Sequence, residues 1–314
     1  IKDESLPGTL KRYFFNSFKP EEYYNFYNDS DLKYNEVYGI VSDIFANPDN
    51  LHIHSVNLAK HLYEQSIHPK IKSGEFYVVY FSGCIFAGEE IDAVGIFKSE
   101  NKDTFLKVCP GGDCFEIESI LGININKMDK GALIFNTSAE QGYVVSVVDN
   151  TNKGDEARYW IDDFLHVQQR KDEYYNTRNA MSLCKNFVTK ELPAQFTVSK
   201  ADQAELLNKS VQFFKEKEQF DMSEFAQQVI AQPEVIESFN QYKTTYAREC
   251  DIEFPDNFDI SDSAVRKQAR ILKSVIKLDK NFHIYVHGNN QYIKRGFDPE
   301  TGMQFYQLFF KEEE

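Results

Sequence analysis

The sequence predicts an α+β fold: an antiparallel sheet with flanking helices, followed by a smaller helical domain closing on a short antiparallel sheet. Three observations lead there. Apolar residues recur with helical period before Gly74 and again after Trp160. Between them, runs rich in β-branched and aromatic residues follow one another with short Gly-containing turns, which favours antiparallel neighbours over a βαβ array. Near the C-terminus the period returns to two.

In chain order, Pro20-Glu21-Glu22 reads as a first helical turn, with its acids favoured by the helix dipole. A helix from about Asp31 has an apolar face of Leu32, Val37, Ile40, Val41 and Ile44; another follows Asp49-Asn50 and buries Leu51, Val56, Leu58 and Leu62. Strands are expected over Glu75–Ser82, Ile91–Lys98, Thr104–Val108, Phe115–Leu121, Ala132–Phe135 and Tyr143–Val148, as one meander turning at Gly83, Gly88 and Pro110-Gly111-Gly112-Asp113. A helix from Asp172 is stopped by Pro193, so the domains are expected to be 1–192 and 193–314. Helices after Ser199, Asp221 and Pro233 follow, and Ser261-Asp262-Ser263 caps another. Ile276–Val286, Gln291–Phe297 and Met303–Phe310 close the chain as a small sheet, with turns at Gly288-Asn289-Asn290 and Asp298–Gly302.

Length and composition bound the function. The 314 residues are enough for roughly two domains, and 42% apolar content with 27 Phe and 18 Tyr describes a globular chain. A net charge of −14 argues against coating DNA or anionic membrane over the whole surface. No apolar run approaches a membrane span, so no membrane partner is expected. The start, Ile1-Lys2-Asp3-Glu4-Ser5, lacks a hydrophobic leader and an initiator Met and reads as a trimmed end. Five scattered cysteines fit a reducing cytoplasm.

Charge is segregated. Between Ala264 and Arg295 stand Arg266, Lys267, Arg270, Lys273, Lys277, Lys280, Lys294 and Arg295, against Asp279 alone: eight cations and one acid give +7, leaving −21 for the rest of the −14 chain. On a helix, the spacing of Arg266, Arg270, Lys273 and Lys277 makes one narrow stripe suited to phosphate, although Lys277 also stands where a strand begins. Arg266, Lys267, Arg270, Lys273, Lys277, Lys294 and Arg295 are therefore the candidate nucleic-acid contacts. The alternative is a solvated face paired with the acidic remainder. Phe282, Tyr285, Tyr292, Phe297, Phe305 and Tyr306 would either stack on single-stranded nucleic acid or pack the small sheet, and packing is preferred.

Catalytic signatures fail one by one. A restriction-type nuclease needs Asp, then Glu-x-Lys on the next strand; Asp92 and Lys107 have the rhythm, but Phe105 stands where the metal-binding Glu belongs. Cys109 and Cys114 lack a second ligand pair for zinc. His54 and His61 could share a helix face but lack further ligands, and Asp162-Asp163 reads as a strand end or a helix start. Cys84 reads as a buried, inert thiol. No dinucleotide, phosphate-loop or nucleophile-elbow motif occurs, and no cofactor or metal is expected.

Several blocks carry a resemblance. They are Gly74–Phe81, Ala93–Lys98, Ile123–Met128, Gly131–Phe135, Ala157–Leu165, Tyr174–Asn179 and the closing stretch Leu278–Phe297. Together they resemble the bacterial nucleoid-associated protein family of the NdpA-like type, from about Gly74 onward. The resemblance implies a cytoplasmic protein associated with the bacterial nucleoid; it names no reaction and carries no established catalytic or DNA-contact residues to this chain, and no enzymatic activity is expected. The expected partners are DNA, bound weakly and without sequence preference, or a protein already on the nucleoid; a homo-oligomer is compatible with both. The rival is a nucleic-acid-processing enzyme whose site is assembled from residues distant in sequence.

Overall fold

The computed structural model describes residues 5–18, 22–69, 71–111, 114–151, 159–272, 275–279, 281–286 and 292–312. Its helices and mostly antiparallel sheets make an α+β fold. The chain divides into two compact units, Ile1–Arg170 and Lys171–Glu314.

In the first unit, helix α1 (Leu6–Phe15) precedes strand β1 (Tyr24–Phe26), then helices α2 (Glu36–Ala46) and α3 (Leu51–Gln65). Neither α1 nor β1 is expected from the sequence, and β1 begins just after Glu22, where a helix was anticipated; Pro20 and Glu21 lie outside the described residues. Asn35 caps α2 by accepting from the Tyr38 N–H at 2.9 Å, while its amide donates to the Tyr27, Leu165 and His166 carbonyls. Val37, Val41, Ile44, Leu58 and Leu62 are buried as their spacing requires, but Val56 is exposed.

Strands β2 (Glu75–Phe86), β3 (Glu89–Ser99), β6 (Lys130–Phe135), β7 (Val144–Asp149), β1 and β8 (Val167–Gln169) form one sheet in that order, with β2 and β8 at its edges. Strands β4 (Asp103–Gly111) and β5 (Cys114–Gly122) are not part of it: they pair only with each other, so the expected meander is interrupted by a separate hairpin. The sheet is apolar on both faces with period two. Val94, Ile96, Ala132, Ile134 and Val145 pack with α2 and α3, whereas Phe97, Leu133 and Val148 pack with Tyr13 and Phe14 of α1. Trp160, fully buried on the helical turn Tyr159–Leu165, joins the α2/α3 side.

The second unit is held by aromatic residues. Helix α4 (Glu173–Asn186) continues through a wide turn at Phe187–Glu191 into α5 (Leu192–Gln195). Pro193 therefore does not end the helix: the Leu192 N–H bonds five residues back to Phe187, and this widened turn admits a proline without the clash of a regular turn. The boundary expected at Leu192 accordingly falls within this unit, where Leu183, Phe187 and Leu192 share a core with Phe213, Phe220 and Phe239.

Helix α6 (Lys200–Glu216) opens on a Ser199/Asp202 capping box. Strand β9 (Gln219–Asp221), helix α7 (Met222–Phe225), helix α8 (Pro233–Cys250) and strand β10 (Asn257–Asp259) follow, with β10 antiparallel to β9. Phe220 stacks on Phe214 at 5.1 Å and on Phe258 at 4.8 Å. After α9 (Asp262–Ala269), the chain ends in two separate hairpins instead of one sheet: β11 (Val275–Leu278) with β12 (Phe282–Tyr285), and β13 (Ile293–Asp298) with β14 (Met303–Leu308). The turn expected at Gly288-Asn289-Asn290 lies outside the described residues. Ile276 and Val286 form a small core with Ala201 and Ala204 of α6, which Ile293 and Tyr306 join.

Candidate nucleic-acid interface

Helix α9 carries the first cations of the basic segment. Ser261 caps it, its hydroxyl accepting from the Ala264 N–H at 3.5 Å, and the Ser261 N–H donates to the Thr177 hydroxyl at 3.0 Å. Thr177 is fully buried on α4, so the cap is anchored to the unit's core. Ala264, Val265 and Gln268 turn inward; Arg266 and Arg270 stay exposed one turn apart.

The helix ends at Ala269 with Arg270 as its cap, and this corrects the four-residue stripe. Among the described residues of the stripe, Arg266 and Arg270 share a helical face. Lys273 lies outside the described residues, and Lys277 stands on β11. The helix stops because the next apolar residues serve different cores: Leu272 joins the aromatic core of the unit, while Ile276 joins the small core beneath the hairpins. A continued helix would hold both on nearly one face.

Strand alternation then sets the remaining cations. Ile276 points inward, so Lys277 points outward, opposite His283. Lys294 and Arg295 are consecutive on β13 and project to opposite faces. The Lys294 ammonium sits 5.3 Å from the Phe309 ring centroid, and Arg295 hydrogen-bonds the Gln304 side chain. Lys267 is half-buried, with its ammonium 5.7 Å from the centre of the Tyr174 ring.

Elsewhere in the protein several cations are held by acids, as in Lys98–Glu100 and Lys130–Asp149 at 2.7 Å, and Lys102–Glu75 and Lys217–Glu224 at 2.6 Å. Among the described residues, Arg266, Arg270, Lys277, Lys294 and Arg295 form no ion pair with an acid. The preference for packing as the role of the C-terminal aromatics is also corrected. Phe282, Tyr285, Tyr292, Phe297 and Phe305 are exposed, and of the six only Tyr306 packs against a core. A two-stranded hairpin resting on one helix has too little covered surface to bury them all.

Among the described residues no three His, Cys, Asp or Glu side chains converge as a metal site. Asp92 accepts from the Tyr80 hydroxyl at 2.6 Å and the Gly83 N–H at 3.1 Å, while Lys107 lies on the separate hairpin, 3.6 Å from Glu118. His61 is buried, with Nε2 3.2 Å from the Phe164 carbonyl and Nδ1 3.1 Å from Glu36. Asp162 and Asp163 lie on a helical turn. Cys109 and Cys114 are free thiols diagonal to one another on the hairpin, opposite Glu116 and Gly111 respectively. Cys84 is half-buried instead of fully enclosed, and burial still pushes its pKa up, away from the reactive thiolate. A groove of about 1280 Å³ runs along β2 between α1 and α3, and among the described residues no carboxylate lines it.

A buried ionic network in the first unit is not foreseen from the sequence. Lys98 donates to Glu100 at 2.7 Å and to the Tyr159 hydroxyl at 3.0 Å, and Tyr159 donates to Glu100 at 2.8 Å. The signal that could have found it is that Lys130 and Asp149 end apolar runs at positions that fall opposite each other once β6 pairs β7.

The fold and this surface define an acidic α+β protein with a run of exposed cations in the sequence near its C-terminus. Residues 3–301 match the family model described as nucleoid-associated protein YejK. The chain belongs to this nucleoid-associated protein family. No curated protein matches it. No helix among the described residues is long and apolar enough to cross a membrane.

Proposed function

We propose that this protein associates with the nucleoid by local, sequence-independent contact with DNA phosphates through Arg266, Arg270 and Lys277, with Lys294 and Arg295 as flanking contacts. Lys267 and Lys273 complete the candidate set, Lys267 as the weakest member because its ammonium is engaged over Tyr174. The observation that carries the reading is the concentration of charge: Arg266, Arg270, Lys277, Lys294 and Arg295 are exposed within one short basic segment of an acidic chain and, among the described residues, pair with no acid. Unpaired cations release DNA counterions on binding, whereas paired ones must first lose their partners. An acidic body opposes DNA at long range, so the contact is weak and confined to this segment. Phosphate contacts from a few cations supply counterion release and no base reading, so affinity without sequence preference is expected.

A second reading is recruitment by a protein already on the nucleoid. It is favoured by the exposed Met303, Phe305, Phe309 and Phe310, apolar surface that a duplex does not need. The enzymatic rival is less well supported, because among the described residues the groove along β2 carries no acid to hold a metal or to move a proton. The discriminating experiment is duplex binding by purified protein over a salt titration, with and without magnesium, with the DNA inspected for cleavage. Binding that weakens steeply with salt and leaves the DNA intact supports direct contact. No binding at low salt supports recruitment by a partner, and magnesium-dependent cleavage supports the enzyme.

A further inference from the structure

The β4–β5 hairpin has two unlike faces. Its pairing register places Lys107 with Glu118 and Cys109 with Glu116 on one face. The other face holds the pairs Thr104–Leu121, Leu106–Ser119, Val108–Ile117 and Pro110–Phe115, and none of these eight residues is charged. Leu106, Val108, Phe115, Ile117 and Leu121 are each between 60% and 76% exposed. A two-stranded hairpin is marginally stable in water by itself and needs further strands or a packed face. Here the face that would supply that packing is open.

We infer that this uncharged face of the β4–β5 hairpin is a self-association surface, covered by the same face of a second copy of the chain. The five exposed side chains present roughly 600 Å² of apolar surface per copy, so two such faces together bury about 1,200 Å², the lower bound of a specific interface. Charge points the same way. A chain of net −14 repels its own copy at every acidic surface, and this face brings no charge into contact while keeping Glu116 and Glu118 on the outer side. The same acids disfavour an anionic lipid surface as the occupant. Packed face to face, two hairpins make a four-stranded, two-layer unit in which each supplies the missing cover of the other. A two-fold arrangement is satisfied because the patch is its own partner.

The test is sedimentation equilibrium of the full chain without DNA, so its outcome is independent of the DNA-contact reading. The wild type is expected at twice the 36.5 kDa chain mass. The variant Leu106→Glu/Ile117→Glu is expected at the single-chain mass with an unchanged circular dichroism spectrum. Should that variant fold poorly, Ser119→Arg introduces a charge at a position already polar and is expected to give the same loss of mass. Glu116→Gln, on the opposite face, is expected to remain paired. A wild type at the single-chain mass at micromolar concentration overturns the inference, as does a Ser119→Arg protein that stays at double mass. Flotation of a single-mass wild type with zwitterionic phosphatidylcholine vesicles also overturns it, and assigns the face to lipid.

Discussion

Lys130 and Asp149 face each other across β6 and β7, with both carboxylate oxygens 2.7 Å from an ammonium that is wholly out of solvent. The same ammonium lies 4.9 Å from the centre of the Tyr159 ring, whose hydroxyl bonds Glu100. These two buried charges hold the β6–β7 register, because sliding one strand by a residue would strand both.

Lys130→Ala is expected to destabilise the first unit by about 3–5 kcal/mol, since it leaves the Asp149 carboxylate buried without its counter-ion. Lys130→Met/Asp149→Leu is expected to cost much less, because neither charge is then orphaned. Urea denaturation followed by circular dichroism checks both. A single variant as stable as the wild type contradicts the assignment.

A second prediction concerns pH. The Asp92 carboxyl is held below its ordinary range, first by the Tyr80 hydroxyl and then by the Gly83 N–H. A carboxyl depressed in the folded state stabilises above its unfolded pKa, near 4, and that stabilisation is lost as pH falls through the folded value. The stability difference between wild type and Tyr80→Phe is therefore expected to be full at neutral pH and to shrink in acid. Tyr80 itself is pushed up to about 12, first by burial and then by Asp92. Its neutral form is favoured in the fold, so this contribution is present below pH 10 and is lost as pH rises toward 12. Urea midpoints measured across pH test the acid limb, and tyrosinate absorbance tests the alkaline one. A pH-independent difference contradicts the first, and ionisation of Tyr80 at the ordinary tyrosine pKa the second.

A third prediction is steric. Gly142 closes a helical turn at φ +89°, and a Cβ there would run into the Phe26 carbonyl. The Phe26 N–H donates to the Gly142 carbonyl at 2.9 Å, so the two backbones cannot separate without losing a bond. Gly142→Ala is expected to cost about 2 kcal/mol or more through strain at positive φ. An unchanged thermal midpoint contradicts this.

These residues also mark how far the sequence can be read. The strands of the main sheet were legible because β-branched runs with Gly turns state their own period; β2 and β3 extend only a few residues beyond the expected limits. Pairing choice was not legible. Thr104–Val108 and Phe115–Leu121 have the composition and turn chemistry of their neighbours, and whether a hairpin joins the sheet is decided by contacts remote in sequence. Strand β1, three residues long, is too short to show a period. In the basic segment the charges were visible, but the helix end was not. Spacing over Arg266–Lys277 fits a helix, and the demand of two cores for Leu272 and Ile276 overrides it.

The most direct test of the proposed DNA contact is the salt dependence of duplex binding by Arg266→Glu/Arg270→Glu/Lys277→Glu. All three side chains are exposed and unpaired with acids among the described residues, so stability should change by less than about 1 kcal/mol for each. If they contact phosphates, affinity at low salt falls steeply and the slope of log affinity against log salt flattens by about 3 units, roughly one for each lost contact. A variant with the wild-type affinity and slope, folded by circular dichroism, contradicts direct contact through this segment.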